Sequence, residues 1–160
     1  MNNLTIYHIA LVTHITGLTM MAGATLAHYI TFKQFWKQVR NDKPKGLAIR
    51  EAMSKLPLLV GIGFILLIIS GVGMMAITRG AFGEQIWFRI KFGLIILIIL
   101  NGLAIGRKQD LKLTKILSEG TSGKDVVAKL LRVKNNLNQY HIAQLAFFLI
   151  IFILSVFKFN

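Results

Sequence analysis

The chain has 160 residues, of which 54% are hydrophobic, and its mean hydropathy is +0.62. Because a soluble domain seldom exceeds about half apolar residues, this composition indicates a membrane protein. The absence of cysteine excludes disulfides, thiolate metal sites and thiol catalysis. The net charge of +13 does not indicate nucleic-acid binding, because the basic residues lie between long apolar runs, where they act as topology determinants.

Four apolar runs follow one another along the chain, and each is long enough to cross about 30 Å of hydrocarbon. The first has no Lys or Arg before it, so it lacks the n-region of a signal peptide and is expected to stay attached. The second has Pro57 in its first turn, where a missing N–H costs little. The pattern predicts an all-α, integral membrane four-helix bundle, folded as a single domain over residues 1–160. The expected helices cover residues 4–32, 56–78, 87–106 and 138–159.

Two basic segments, 33–55 and 107–137, separate the first helix from the second and the third from the fourth. Together they hold 15 of the 19 basic residues, so the positive-inside rule places them in the cytoplasm and both termini outside. Apolar residues at helical spacing in the second segment predict that it extends helices three and four or lies on the lipid surface. A break is expected at residues 120–123. The chain is therefore predicted to be a multi-pass protein of a bacterial inner (cytoplasmic) membrane.

Histidines in the first helix are the leading candidates for chemistry, because an ionisable group inside a membrane costs about 2.5 kcal/mol or more and needs a partner or a purpose. At 100° per residue, His14 and His28 point within about 40° of each other. They belong to one stripe, which is typical of a helix face turned into a bundle. The stripe consists of Tyr7, Leu11, His14, Leu18, Met21, Thr25 and His28.

Counting residues from the middle of each span predicts which side chains share a depth in the membrane. His14 and Lys91, with the Met74 and Met75 pair, fall roughly 6 to 10 Å outward of the midplane. His28 and His141 both fall near the cytoplasmic boundary, where a second pair is expected. A neutral imidazole is a good axial ligand for haem iron, so each level is a candidate haem site. His8, nearer the outer end, is a further candidate. The alternative role for the histidines is a hydrogen bond between helices or a position at the headgroup level.

Other side chains leave alternatives open. Lys91 either snorkels to the outer surface or, with Arg79 and Arg89, neutralises carboxylates such as haem propionates. The methionine pairs at 20–21 and 74–75 offer soft thioethers suited to Cu(I), or they fill gaps in apolar packing. No nucleophile and base set, phosphate-binding glycine pattern or zinc spacing is present in the sequence.

Three short motifs carry a family resemblance. They are His14-Ile-Thr-Gly-Leu-Thr-Met-Met-Ala-Gly, Ser70-Gly-Val-Gly and Trp87-Phe-Arg-Ile-Lys-Phe-Gly-Leu. Together they resemble small bacterial membrane proteins that include HemJ-type protoporphyrinogen oxidases and CopD-like proteins. The resemblance covers the first three helices. It implies haem b binding and a catalytic pair formed by His14 and Lys91.

The sequence thus predicts a haem b protein with a redox role and with one haem or two. The reaction is either electron transfer from a membrane quinol or oxidation of a porphyrinogen or quinol, so whether the chain is an oxidoreductase of the protoporphyrinogen oxidase type stays open. The haem ligands are expected among His14, His28 and His141. Expected partners are membrane lipid, a quinone or porphyrin, and a second copy in a homodimer. The alternative is a cofactor-free scaffold subunit or a small permease for a metal or solute.

Overall fold

The structure is a computed structural model, and it describes residues 2–81, 83–119 and 124–157. Every regular element in these ranges is helical. Four stretches are long and apolar enough to cross a membrane: Asn3–Val39, Lys43–Ile77, Ile86–Ser118 and Asp125–Val156. The predicted all-α class and the predicted number of membrane-spanning helices are therefore confirmed in this part of the chain. In order, the elements are α1 Asn3–Asn41, α2 Lys43–Ile77, α3 Ile86–Asn101, a π-helical segment Gly102–Arg107, α4 Lys108–Glu119 and α5 Lys124–Val156.

Large apolar side chains in the candidate spans are exposed. Leu58, Ile69 and Val72 on α2 are 69%, 64% and 65% exposed. A protein in water rarely leaves so continuous an apolar surface uncovered, whereas lipid tails cover it without cost. The exposure pattern therefore agrees with the membrane environment that the composition predicts.

The chain divides into two compact units, Met1–Phe88 and Arg89–Asn160, called here the N-terminal unit and the C-terminal unit. The first contains α1, α2 and the first three residues of α3, and the second contains the rest of α3, the π segment, α4 and α5. Each unit is described by itself. The expected single domain over residues 1–160 stays a prediction.

The N-terminal unit is a helical hairpin whose turn is one residue long. Asp42 lies between α1 and α2 in an extended conformation, and its Oδ1 accepts a hydrogen bond from Lys45 N at 3.1 Å. Its other oxygen lies 3.1 Å from Lys45 Nζ. The two helices run antiparallel from this turn and stay close beside it. A Cβ at Gly46 would lie only 2.7 Å from Val39 Cα. Asp42 thus caps the second helix while it reverses the chain.

The segment 33–55, expected to connect two shorter helices, is helical except at Asp42. The reason lies in its apolar residues, because Phe32, Phe35 and Met53 are each at most 1% exposed and Trp36 is 8% exposed. The rings of Phe35 and Trp36 pack edge to face with centroids 5.1 Å apart. Burial of this aromatic cluster stabilises α1 and α2 beyond their membrane-spanning parts.

Pro57 does not lie in the first turn of its helix, contrary to the sequence expectation. The helix begins at Lys43, with Pro44 in its first turn, so Pro57 falls inside α2. The carbonyl of Met53 consequently lacks the usual amide donor four residues later. At the other end, Arg79 and Gly80 adopt positive φ angles of 52° and 77°, and Gly80 N donates to Met75 O at 3.0 Å. This left-handed pair ends α2.

In the C-terminal unit, the third and fourth helices are longer than the ranges 87–106 and 138–159 predict. α3 runs through the π segment directly into α4, and α5 begins at Lys124. Leu113 on α4 and Val133 on α5 are 0% and 4% exposed, so the apolar residues of the basic segment serve to extend helices by packing. The expected break at residues 120–123 lies outside the described residues.

Candidate functional site

The predicted stripe of α1 is its less exposed face. Tyr7, His14 and His28 are half-buried, and Met21 is buried. On α2, Gly63, Leu67 and Ser70 are buried at spacings of four and three residues, which places them on one face. These two faces form the contact within the hairpin.

Two glycines set the distance between the helices. A Cβ at Gly17 would lie 2.8 Å from Gly63 O, and a Cβ at Gly63 would lie 2.7 Å from Gly17 O. Since the obstructing atoms belong to the backbone, no side chain fits at either position without moving a helix. This close approach brings His14, almost one turn before Gly17, against α2.

His14 forms a hydrogen bond across the hairpin with Ser70, and the atoms His14 Nδ1 and Ser70 Oγ are 3.0 Å apart. The Ser70 hydroxyl has one hydrogen and donates it to a carbonyl of its own helix, with Leu66 O at 2.6 Å and Leu67 O at 3.2 Å. With that hydrogen on a carbonyl of α2, Ser70 Oγ accepts from His14 Nδ1–H. In the neutral imidazole this assigns the second nitrogen, Nε2, as the atom that carries the lone pair.

Gly71 completes the contact of His14 with α2. A Cβ at this position would lie 3.6 Å from His14 Cε1 and 3.8 Å from Nδ1, so the ring lies against the backbone at Gly71. The imidazole therefore makes two contacts with α2: the hydrogen bond from Nδ1 to Ser70 and the packing of Cε1 against Gly71. This arrangement orients a nitrogen lone pair inside a candidate membrane span.

The other predicted residues of this unit do not join His14. At 1.5 Å per residue, His28 lies about 21 Å and His8 about 9 Å from His14 along α1. His28 is half-buried, His8 is exposed, and Arg79 is exposed after the end of α2. The structure therefore separates the two levels at which His14 and His28 were predicted.

The methionine pairs also lie at different levels of the hairpin. Met21 packs on Gly63, where a Cβ would lie 2.9 Å from Met21 Cγ. Met74 is eleven residues further along α2, which is about 16 Å at 1.5 Å per residue. Met74 and Met75, four and five residues after Ser70, lie nearer the level of His14 than the level of Gly63. The structure thus does not gather the four thioethers into one ligand set.

In the C-terminal unit, His141 is almost completely buried at 1% exposure, Lys91 is half-buried and Arg89 is exposed. His141 and Gln144 are the polar members of an otherwise apolar buried stripe. Ionisable and polar groups inside a membrane helix regularly take such inward positions. The apolar members of the stripe are Val133, Leu137, Phe148, Ile151 and Leu154.

A second polar contact lies beside the π segment. Gln144 Nε2 donates to Ile98 O at 3.1 Å, in the last turn of α3 before the helix changes register. The ring of Tyr140 lies on Gly106, where a Cβ would be 2.8 Å from Tyr140 Cζ. A π segment disturbs regular backbone hydrogen bonding, and a side-chain amide is a common substitute donor in a membrane.

Two of these contacts are not evident from the sequence alone. Ser70 was recognised only as a small residue, although its spacing from Gly63 and Leu67 marks it as part of the inward face of α2. Gln144 was not recognised, although it follows His141 by three residues on one helix face. The π segment itself has no sequence signal that distinguishes it from the flanking helix.

Within the described residues, no group of three or more His, Asp or Glu side chains is arranged to hold a metal ion. Haem iron differs from such sites because it takes only one or two protein ligands, the porphyrin supplying the rest. Comparisons with protein-family models, curated proteins and solved structures find no match. The resemblance to HemJ-type and CopD-like proteins therefore stays a prediction.

Proposed function

We propose that the chain is a membrane protein that binds haem b and has a redox role, with His14 Nε2 as an axial ligand. The observation that carries the proposal is the hydrogen bond between His14 Nδ1 and Ser70 Oγ. A histidine that binds a metal commonly donates its other ring N–H to a neighbouring acceptor, which fixes both the tautomer and the ring orientation. Ser70 supplies that acceptor here.

The residues present suit the group. Ser70 is itself held by its bond to Leu66 O, so the support of His14 is a two-step chain anchored on the backbone of α2. When bound, haem supplies one-electron exchange, and the protein supplies ligand, orientation and electrostatics. His28 and His141 are the candidates for a second haem. A membrane quinol is the electron donor that suits such a site, with porphyrinogen oxidation the enzymatic variant.

Three cations are the candidates for contacts with the haem propionates: Lys91, Arg79 and Arg89. A charge-assisted hydrogen bond is normally worth about 1.5 to 3 kcal/mol. Lys91→Met should therefore lower haem occupancy or shift the midpoint potential, measured by redox titration of the purified protein. A substitution that leaves both unchanged means that Lys91 only snorkels.

The orientation in the membrane follows from charge. We infer that the basic segments face the cytoplasm of a bacterial cell and that both termini face outward. Because the chain has no cysteine, single cysteines can be introduced at Asn2 and at Lys43. An impermeant thiol reagent applied to intact cells should label the first and not the second. The opposite pattern reverses the orientation.

The decisive variant for the haem site is His14→Ala, with His8→Ala as its matched control on the same helix. Both remove one imidazole, but His8 is exposed and lies about 9 Å from His14 along α1. We expect the Soret band to disappear or shift in His14→Ala and to persist in His8→Ala, with equal amounts of inserted protein. A retained and unshifted spectrum in His14→Ala rules out His14 as a ligand.

The rival function is a cofactor-free membrane module, either a scaffold subunit or a small permease. In that case the contact between His14 and Ser70 serves only as an interhelical hydrogen bond, which is typically worth about 0.6 kcal/mol in a membrane protein. Colour separates the two functions. A haem protein purified in mild detergent shows a Soret band and a reduced α-band, whereas the rival shows neither.

A further inference from the structure

Two exposed lysines lie one helical turn apart on α1. Lys33 and Lys37 are both exposed, and their spacing of four residues places them on the same side of α1. Like charges at this spacing destabilise a helix unless an anion lies between them. The pair therefore forms an uncompensated cationic surface.

The acidic residues of the hairpin are engaged elsewhere. Asp42 pairs with Lys45 at 3.1 Å, and Glu51 lies 3.9 Å from Lys55, each within its own turn. Neither Lys33 nor Lys37 has a carboxylate within ion-pairing distance in the described part of the chain. No carboxylate in the described part of the hairpin is therefore placed to bind these two lysines.

The surroundings of the pair place it at the edge of the hydrocarbon. The first apolar run ends at Phe32, immediately before Lys33, and Lys33 Nζ lies 5.2 Å from the centre of the Tyr29 ring. Tyrosine is enriched where hydrocarbon meets headgroups, and lysine beside an aromatic ring is stabilised there.

Counting residues from Phe32, the end of the apolar run, gives the depth of the pair. The 39 residues of α1 correspond to about 58 Å, compared with about 30 Å of hydrocarbon and about 40 to 45 Å for the whole bilayer. Each headgroup layer is therefore about 5 to 8 Å thick. Lys33 and Lys37 lie about 1.5 to 7.5 Å beyond Phe32 along the axis, within that layer. The hairpin turn lies about 15 Å beyond Phe32, outside it.

We propose that Lys33 and Lys37 bind the phosphate of an anionic phospholipid headgroup. The buried apolar cluster of Phe32, Phe35 and Met53 keeps α1 helical at this level, so the two lysines lie on a packed helix. A phosphate between them removes the repulsion and adds charge-assisted hydrogen bonds. The proposal concerns lipid and does not depend on haem or on the orientation of the chain.

Trp36 provides a reporter beside the pair, because the chain has only two tryptophans. The variant Trp87→Phe leaves Trp36 as the sole source of tryptophan fluorescence. The full chain is reconstituted in phosphatidylcholine vesicles that contain either brominated phosphatidylcholine or brominated phosphatidylglycerol, and bromine quenches nearby tryptophan. The ratio of the quenching by the two brominated lipids gives the preference of the site near Trp36 for phosphatidylglycerol over phosphatidylcholine.

We expect a preference for phosphatidylglycerol that Lys33→Gln/Lys37→Gln lowers by about 25-fold, since each basic residue near a membrane surface contributes about fivefold. The matched control is Lys43→Gln/Lys45→Gln, which removes the same charge from the hairpin turn. The turn lies about 7.5 Å beyond Lys37 along the axis and outside the headgroup layer, so the control should lower the preference by clearly less than the loss of the pair does. Circular dichroism checks that each variant is helical.

Two outcomes overturn the proposal. Equal quenching by the two brominated lipids, or an equal loss of preference in both double variants, shows that the pair is not an anionic lipid site. If inorganic phosphate relieves the quenching while chloride of the same ionic strength does not, the pair binds free phosphate instead. Since the fluorescence assay needs no haem, its failure is distinguishable from a failure of the proposed redox role.

Discussion

The two units both place a polar side chain between packed helices, but they connect it to different acceptors. In the N-terminal hairpin, the ring of His14 donates to the hydroxyl of Ser70, itself committed to a backbone carbonyl. In the C-terminal unit, the amide of Gln144 donates directly to the carbonyl of Ile98. The first contact selects a histidine tautomer, whereas the second supplies a donor beside a π segment.

This difference bears on the proposal that His14 is the haem ligand. A side-chain acceptor such as Ser70 leaves an oriented lone pair on the opposite nitrogen of His14, as metal ligation requires. The amide of Gln144 donates to a backbone carbonyl and orients no lone pair toward a ligand site. Its oxygen, Oε1, has no hydrogen-bond partner within the described part of the chain. The proposed function therefore uses the contact in the hairpin, whereas the contact of Gln144 fits a packing role.

The units also differ in the atoms that a side chain added at a glycine would meet. Gly17 and Gly63 face backbone atoms of the opposite helix, which cannot yield without separating the helices. Gly106 faces the far end of the Tyr140 ring, which can rotate away. The hairpin is therefore the more sensitive of the two units to added volume.

The largest expected effect is that of Gly17→Ala. Its Cβ would lie 2.8 Å from Gly63 O, so we expect a loss of about 3 kcal/mol in unfolding free energy, the upper end for overpacking. The control is Gly23→Ala on the same helix, where nothing lies within 4 Å. It should be neutral or stabilising by up to about 1 kcal/mol. Denaturant titration in detergent micelles measures both, and equal effects at the two positions contradict the close crossing.

Ser70→Ala should have the next largest effect, because it removes the acceptor of His14 Nδ1–H. Loss of a partner that orients a metal ligand typically lowers affinity 10- to 100-fold, so haem affinity should fall by about that factor. Ser155→Ala is the control, because Ser155 bonds only to Ile151 O of its own helix among the contacts described. Haem titration of the two apoproteins checks this, and equal affinities argue against the role of Ser70.

The smallest expected effect is that of Gln144→Leu. The variant loses the bond to Ile98 O but also removes a buried carbonyl oxygen, so unfolding free energy should fall by only about 1 kcal/mol or less. Gln139→Leu, at an exposed position of α5, is the control and should change stability by less than about 0.5 kcal/mol. Haem content should be unchanged in both. A loss of haem in Gln144→Leu would place Gln144 in the cofactor site and erase the contrast between the units.

The sequence was most informative about the membrane helices. Hydropathy predicts four spans because every apolar run exceeds the thickness of the hydrocarbon, and the seven-residue recurrence of Tyr7, His14 and Met21 predicts the less exposed face of α1. The helix ends were not predictable in the same way. Segment 33–55 is rich in lysine, and its helical structure depends on burial of Phe35 and Met53, a contact between residues far apart in the sequence.

The candidate site shows the same division. His14 was predicted from its depth and face, which are local properties of one helix. Its contact with Ser70 joins residues 56 positions apart and depends on the glycine crossing at Gly17 and Gly63. Neither hydropathy nor periodicity specifies which residues of α2 face His14, because that register depends on the turn at Asp42.

The most direct test of the central claim is a pyridine haemochrome assay of the chain purified in mild detergent, with the protein quantified on the same sample. Ligation by His14 predicts a haem b spectrum with one haem per chain, or two if the level of His28 and His141 is also occupied. A haem to protein ratio near zero, in protein that is inserted and helical and was produced with haem supplied, would contradict the assignment.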